Sequence, residues 1–201
     1  MTKPLIIGVS GASGLIYAVR TVKYLLQAEY HIELIASKAT YTVWQAENNI
    51  KMPADPHQQE QFWRQQADII TGGKLTCHPW QDIGATIASG SYRTLGMVII
   101  PCSMSTAAKL AAGLSSDLLE RAADVQLKEG RKLVIVPRET PFSLIHLRNL
   151  TTLAEAGARI VPAIPAWYHH PQTIEDLVDF VIARTLDQLD IDCIPWTRWR
   201  S

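Results

Sequence analysis

Arg138 and Glu139 lie between two prolines, in Pro137-Arg138-Glu139-Thr140-Pro141, directly after an apolar run. Each proline fixes its own φ, so the loop holds a cation and a carboxylate more stiffly than a plain surface loop requires. Arginine suits bidentate binding of a phosphate. A glutamate there, once partly buried, can carry a proton near neutral pH. A second cluster, Ser10-Gly11-Ala12-Ser13-Gly14, follows the apolar run Leu5 to Val9 and opens a helical pattern at Val19, Val22, Leu25 and Leu26. A strand feeding a glycine turn that opens a helix points unpaired N–H groups at one spot, which suits a phosphate or an electron-rich ring. No Gly-Lys-Ser/Thr follows, so this is no Walker loop, and Gly8, Gly11 and Gly14 are spaced by three, unlike G-x-G-x-x-G. On its own the turn fits a nucleotide or flavin site and a structural βα turn alike.

Other polar residues gather after apolar runs. Ser103, Ser105 and Thr106, with Met104 among them, open a helix after Pro101-Cys102. They read both as an N-cap and as hydroxyls beside helix N–H groups that bind a phosphate; Ser37, ahead of Lys38, carries the same two readings. Arg121 and Lys128 are seven apart on one helix and share a face, either a solvated basic stripe or a phosphate clamp. Glu120 and Asp124 beside them favour the stripe. Glu47 sits late in a helix and reads as a surface position. Tyr168-His169-His170 invites a metal reading, but adjacent histidines point apart and no Cys or acid stands at ligand spacing, so no metal is expected. Arg184 lies among Val181, Ile182 and Leu186, where it either snorkels or meets an anion. Trp196 and Trp199 near the end either cover the core or wall an apolar pocket.

The elements that must position these residues are short. Strands are expected at Leu5 to Val9, Ile32 to Ala36, Leu75 to Cys77, Gly96 to Ile100 (ending at Pro101), Arg131 to Val136 and Arg159 to Val161. Helices are expected at Lys38 to Asn49, Glu60 to Ala67, Ser103 to Ala112, Asp117 to Lys128, Phe142 to Ala156 and Ile174 to Leu189, besides the one after Gly14. Met52 to Gln59, with Pro53 and Pro56, reads as a surface link. Alternating strands and helices, several strands apolar on both faces, imply a doubly wound parallel sheet in a single α/β domain. The division expected is residues 1–189 as the domain and 190–201 as a tail covering the site. Ligands of such sheets sit at the carboxyl ends of the strands, where four of these polar turns fall.

The chain has 201 residues, enough for one sizeable core. Lys and Arg balance Asp and Glu at 19 each, which argues against a nucleic-acid partner or an anionic membrane. Apolar runs such as Met97-Val98-Ile99-Ile100 are too short to span a bilayer. Cys77, Cys102 and Cys193 are widely spaced and odd in number, a pattern of a reducing cytosol, so a cytoplasmic location is expected.

In their order, Gly11-Ala12-Ser13-Gly14, Ser37-Lys38-Ala39, Ala88-Ser89-Gly90-Ser91, Pro101-Cys102-Ser103, Glu120-Arg121-Ala122-Ala123-Asp124-Val125, Leu127-Lys128-Glu129, Val136-Pro137-Arg138-Glu139-Thr140-Pro141, His146-Leu147 and Pro165-Ala166-Trp167-Tyr168-His169 resemble the UbiX-type flavin prenyltransferases. So does the helix with Asp176-Leu177-Val178-Asp179 and Arg184. The resemblance covers nearly the whole chain; the Lys51 to Pro79 segment contributes little to it. It implies a Rossmann/flavodoxin-like fold in a homo-oligomer, a dodecamer. It implies transfer of a dimethylallyl group from dimethylallyl monophosphate to N5 and C6 of reduced FMN, without a metal, for a partner UbiD-type decarboxylase.

Residue by residue, the resemblance assigns Gly11, Ala12, Ser13, Ser37, the turn Ser103, Met104, Ser105 and Thr106, and Arg138 to FMN. It assigns Ser89, Gly90, Arg121, Lys128, Tyr168 and Arg184 to the prenyl-phosphate pocket, with Trp199, which fits the ungapped register where Trp196 does not. Glu139 takes the place of an acid/base near the phosphate and N5. Glu47, with Ser13, takes that of a second proton-transfer carboxylate, which overturns the surface reading. Two rivals share these features: an FMN-dependent cysteine decarboxylase of the same fold, and a non-catalytic flavin carrier. Glu139 and the cationic residues weigh against the first, and the presence of both carboxylates against the second.

Overall fold

The computed structural model describes residues 3–194. Six parallel strands form one sheet: β1 (Leu5–Val9), β2 (Ile32–Ala36), β3 (Leu75–His78), β4 (Gly96–Cys102), β5 (Leu133–Pro137) and β6 (Arg159–Ile160), in the order β3-β2-β1-β4-β5-β6. β1, β2, β4 and β5 are buried along their whole length, as expected of strands covered on both faces. On one face pack α1 (Ile16–Gln27), α2 (Lys38–Asn48), α3 (Pro56–Gln66) and α7 (Ile174–Asp187), around a core that includes Ile7, Val9, Leu25, Trp44, Trp63 and Ile182. On the other pack α4 (Met104–Ala111), α5 (Leu118–Lys128) and α6 (Leu144–Glu155), around Ile6, Ile99, Leu119, Ile135 and Leu153. Arg20 of α1 clamps Asp179 of α7 through Nε and Nη2, each at 2.5 Å, and so ties the two helices together.

Two elements differ most from the sequence expectation, besides smaller shifts at other ends such as β5, which starts at Leu133 and takes in Pro137. β4 runs through Pro101 to Cys102 instead of ending at Ile100. Pro101 lacks a donor, but its carbonyl accepts from Ser10, and the β4–β5 register shifts between Ile99 and Cys102; proline is tolerated at such irregularities. The second is α3, which begins at Pro56 and not near Glu60. Asp55 caps it by accepting from the Gln58 N–H at 3.0 Å, and Pro56 takes the first helical position, where its missing N–H costs nothing. At the chain's end Ile191 and Ile194 are buried in the α1–α7 core. Trp196 and Trp199 lie outside the described residues.

Candidate active site

The chain leaves β1 toward β2 and β3, then crosses to β4 on the opposite side. This puts the crevice of the sheet between the carboxyl ends of β1 and β4. Ser10, fully buried, fastens that crevice. Its Oγ donates to the Pro101 carbonyl at 3.0 Å and accepts from the Ser103 N–H at 2.7 Å. Nothing but its place at a strand end marks Ser10 in the sequence. Gly11 follows, and a Cβ there would lie 2.4 Å from the Ala39 Cβ, so only glycine lets the turn approach α2. Gly14 has φ +96°, in the region that disfavours side chains.

α1 carries no acidic residue in its first turn and its own N-cap supplies no side chain. Glu47, from α2, fills that role: its carboxylate accepts from the Gly14 N–H at 2.8 Å and the Leu15 N–H at 3.1 Å. Glu47 is therefore not an idle surface residue. It is the carboxylate at the positive end of α1, held one residue from the exposed Ser13. Ser37 stands at the next strand end, its Oγ 3.1 Å from the Thr40 hydroxyl, which donates to the Val9 carbonyl.

At the start of α4, Ser103 is the N-cap. Its Oγ accepts from the Thr106 N–H at 3.2 Å and donates to the Thr106 hydroxyl at 3.0 Å. The capping reading of Ser103 and Thr106 thus holds, and the exposed Ser105 and the first-turn N–H groups of α4 stand beside it. Arg138 follows β5 and donates its N–H to the Cys102 carbonyl at 3.2 Å. Its Nε is buried with no hydrogen-bond partner among the described residues. The guanidinium is near enough to Tyr17 of α1 to oppose the effect of burial, which raises that phenol above its ordinary value.

Glu139 follows, with Oε1 accepting from the Thr140 N–H at 3.1 Å. It lines a cleft of about 220 Å³ with Arg138, Pro141, Phe142, Pro162 and Ile164. Pro162 and Ile164 are shared with a second cleft, of about 470 Å³, that carries Arg159, Phe180, Arg184 and Gln188. Tyr168 meets Phe180 edge-on at 5.7 Å, which joins it to that wall. His169 lies flat on Phe180 at 5.4 Å, and no cluster of three metal-ligating groups occurs among the described residues. Each cation of the expected phosphate set has an acid beside it: Arg121 with Asp124 at 2.9 Å, Arg184 with Asp187 at 2.8 Å, and Lys128 with Glu129 at 3.8 Å.

The expected residues fall into two groups, apart from Arg121, which lies near the start of α5 and lines neither cleft. Gly11 to Ser13, Ser37, Glu47, Ser103 to Thr106, Arg138 and Glu139 gather at the carboxyl edge of the sheet, with Tyr168 and Arg184 on the adjoining clefts. Ser89 and Gly90 precede β4, and Lys128 ends α5 just before β5. They therefore lie at the amino edge. At roughly 3.3 Å per residue, the five residues of β5 alone place about 16 Å between the Lys128 and Glu139 ends.

A flavin mononucleotide suits the carboxyl edge. The orphaned Arg138 Nε and the α4 N–H groups answer a phosphate. The glycine turn leaves room for a ring against backbone, and Glu47 with Ser13 borders it.

The chain matches the family model described as Flavoprotein over residues 1–186. It is 73% identical over 201 residues to the flavin prenyltransferase UbiX of Synechocystis sp., covering 100% of this chain and 98% of that one. The crystal structure of AnUbiX (PadA1) in complex with FMN and dimethylallyl pyrophosphate superposes with a TM-score of 0.87 at 35% identity, over 100% of this chain and 99% of that one. A dodecameric FMN-dependent Ubix-like decarboxylase from Escherichia coli O157:H7 gives a TM-score of 0.84 at 40% identity, over 98% of this chain and 100% of that one. By these matches the chain belongs to the flavoprotein family, and within it to the UbiX flavin prenyltransferases.

Proposed function

We propose that this protein joins the dimethylallyl group of dimethylallyl monophosphate to reduced FMN, forming prenylated FMN that a UbiD-type decarboxylase then uses. The observation that carries the reading is the place of two consecutive residues, a cation and a carboxylate, where the crevice meets the cleft. Arg138 is near enough to Tyr17 of α1 to act on its phenol, and it also lines, with Glu139, the cleft whose wall continues to Arg184. FMN supplies the electron-rich atoms that accept the prenyl carbon. Gly11 to Ser13, Ser37, the α4 turn and Arg138 hold it. Arg121, Lys128 and Arg184 offset the charge of the departing phosphate, work that a magnesium ion would otherwise do. Glu139 handles the proton near the phosphate, and Glu47 with Ser13 handles the second.

A five-carbon phosphate cannot reach from Glu139 to Lys128 of the same chain. The division of the site between two sheet edges therefore supports assembly in which one copy lends Gly90 and Lys128 to the crevice of another. Exposed apolar side chains at Leu144, Ile145, Leu147, Ile164 and Trp167 support the same reading. The dodecamer found for the Escherichia coli relative is the order we infer. We assign residues 1–189 to the flavin domain and 190–201 to a tail closing the site, with Trp199 as a wall. Three free cysteines support a cytoplasmic location.

The test is incubation of the protein with FMN, a reductant and dimethylallyl monophosphate, followed by mass analysis of the flavin. Gain of one dimethylallyl group is expected. Unmodified flavin, with carbon dioxide released from a cysteinyl peptide, would assign the chain to the decarboxylases instead.

A further inference from the structure

Arg131 belongs to none of the residues assigned so far. The left-handed Gly130 (φ +62°) closes α5 and turns the chain back, bringing Arg131 under the segment that carries Ser89 and Gly90. Its Nη1 donates to the Tyr92 carbonyl at 2.7 Å and its Nη2 to the Gly90 carbonyl. One planar guanidinium thus holds two carbonyls two residues apart, and the side chain is only 17% exposed. Glu129 completes the seat. Its Oε1 stands 2.3 Å from where a Gly90 Cβ would be and 3.8 Å from the Lys128 Nζ, and its Oε2 is 3.9 Å from the Arg131 Nη2. The rest of the segment is tied down as well. Thr94 donates to the Gln126 side chain at 2.9 Å, and the Tyr92 hydroxyl donates to the buried Glu33 at 2.8 Å.

This grip decides which side of the segment faces outward. In a trans peptide the carbonyl and the following N–H point in opposite directions. With the Gly90 carbonyl turned to Arg131, the Ser91 N–H is aimed away from it, toward the Ser89 Oγ at 3.4 Å; that Oγ lies 2.9 Å from the Ser91 Oγ. Two hydroxyls and an N–H therefore collect on the face opposite Arg131, and the Lys128 ammonium stands 3.8 Å from Glu129, the carboxylate packed against Gly90.

We propose that Arg131 is a positioning residue for the prenyl phosphate: by clamping the Gly90 and Tyr92 carbonyls it presents the Ser89–Ser91 face and Lys128 as one anion seat. It touches neither substrate. The inference rests on the prenyl-transfer reading, in which this seat completes the crevice of a neighbouring copy. It predicts that the seat, and not the FMN crevice, depends on the guanidinium.

The experiment uses the full-length protein. FMN affinity is measured by fluorescence titration, and KM and kcat for dimethylallyl monophosphate under reducing conditions. In Arg131→Ala, FMN affinity is expected to stay within about twofold, while KM rises roughly 10-fold or more and kcat falls less, as loss of a charge-assisted pair implies. Added guanidinium ion at low millimolar concentration should bring KM down. Arg131→Lys, whose ammonium cannot hold both carbonyls in a planar fork, should show an intermediate KM. A purely structural role would lower the melting temperature and the active fraction but leave KM unmoved and unresponsive to guanidinium, and that result overturns the proposal. Equal loss of FMN binding overturns it too. If Arg131→Ala does not fold, Arg131→Lys is decisive: a wild-type KM refutes the clamp. Wild-type protein that prenylates no flavin refutes the transfer reading and the clamp with it, whereas a competent wild type beside an unaltered Arg131→Ala refutes the clamp alone.

Discussion

Arg138 brings a charged, partly unsatisfied guanidinium to the crevice. A buried donor without a partner is costly, so a phosphate that pairs with it recovers that cost on binding. Arg138→Ala is expected to weaken FMN binding by about 10- to 100-fold, read by flavin fluorescence; unchanged affinity would move the phosphate elsewhere. The two carboxylates divide differently. Glu139 lies on the cleft side and Glu47 on the α1 amides beside Ser13. Two bonds form on different flavin atoms, and one fixed group cannot easily serve both. An amide keeps the shape and removes the basicity, at a loss of ~10²–10⁴-fold. In single-turnover absorbance, Glu139→Gln should slow the first phase, and Glu47→Gln should leave it intact and slow the second. An undisturbed second phase in Glu47→Gln would leave the departing phosphate as the base.

The elements were legible to different depths. Continuous apolar runs such as Leu5 to Val9 and Leu133 to Val136 mark their own strands, because strands buried on both faces admit little else. Pro101 and Pro56 misled for one reason: proline reads as a stop, yet it fits where its missing donor is not required. The partners of Glu47 and Ser10 could not be read at all, because they lie 33 and 91 residues away. The family resemblance supplied a role for Glu47 but not the amides that fix it.

Nothing in the spacing of the residues marks the cluster on β2. There Glu33, 4% exposed, takes hydrogen bonds from His78 at 2.6 Å and Tyr92 at 2.8 Å, with His31 at 3.2 Å. Burial alone would raise the Glu33 carboxyl, but His78, Tyr92 and the nearby imidazoles outweigh it and hold it below the usual range. Burial, aided by Lys74, lowers His31 against the pull of Glu33. Both groups bind protons less readily folded than unfolded, so their stabilisation is present at neutral pH and is lost on acidification. The loss begins near the ordinary histidine value of about 6.5 and deepens below about 4.3. Glu33→Gln should cost about 1–3 kcal/mol at pH 7, and in urea unfolding the gap from wild type should close only as the pH falls below about 4. A gap independent of pH would show that packing alone is at stake.

For the whole molecule, the proposed reading divides the site between the two edges of the sheet and so makes activity a property of assembled copies. Lys128→Ala alone should retain flavin and lose turnover, and Glu139→Gln alone should be slow. Mixed after dissociation and reassembly, the two should regain about a quarter of wild-type activity. A site built from two randomly paired copies draws both intact halves that often. No recovery on mixing would mean that each chain completes its own site.

The pairing of Arg121, Arg184 and Lys128 with Asp124, Asp187 and Glu129 has a consequence for selectivity. At rest these positions are close to electroneutral, so they exert little long-range pull on the sulfate, phosphate and nucleotides that surround the protein. An anion gains the cations only by arriving close enough to compete with carboxylates already in place. On the proposed reading the prenyl chain rests against apolar walls such as Pro162, Ile164 and Phe180 and supplies the residence time for that exchange. A bare inorganic anion brings the charge without the anchor, and so meets a pocket that is already content.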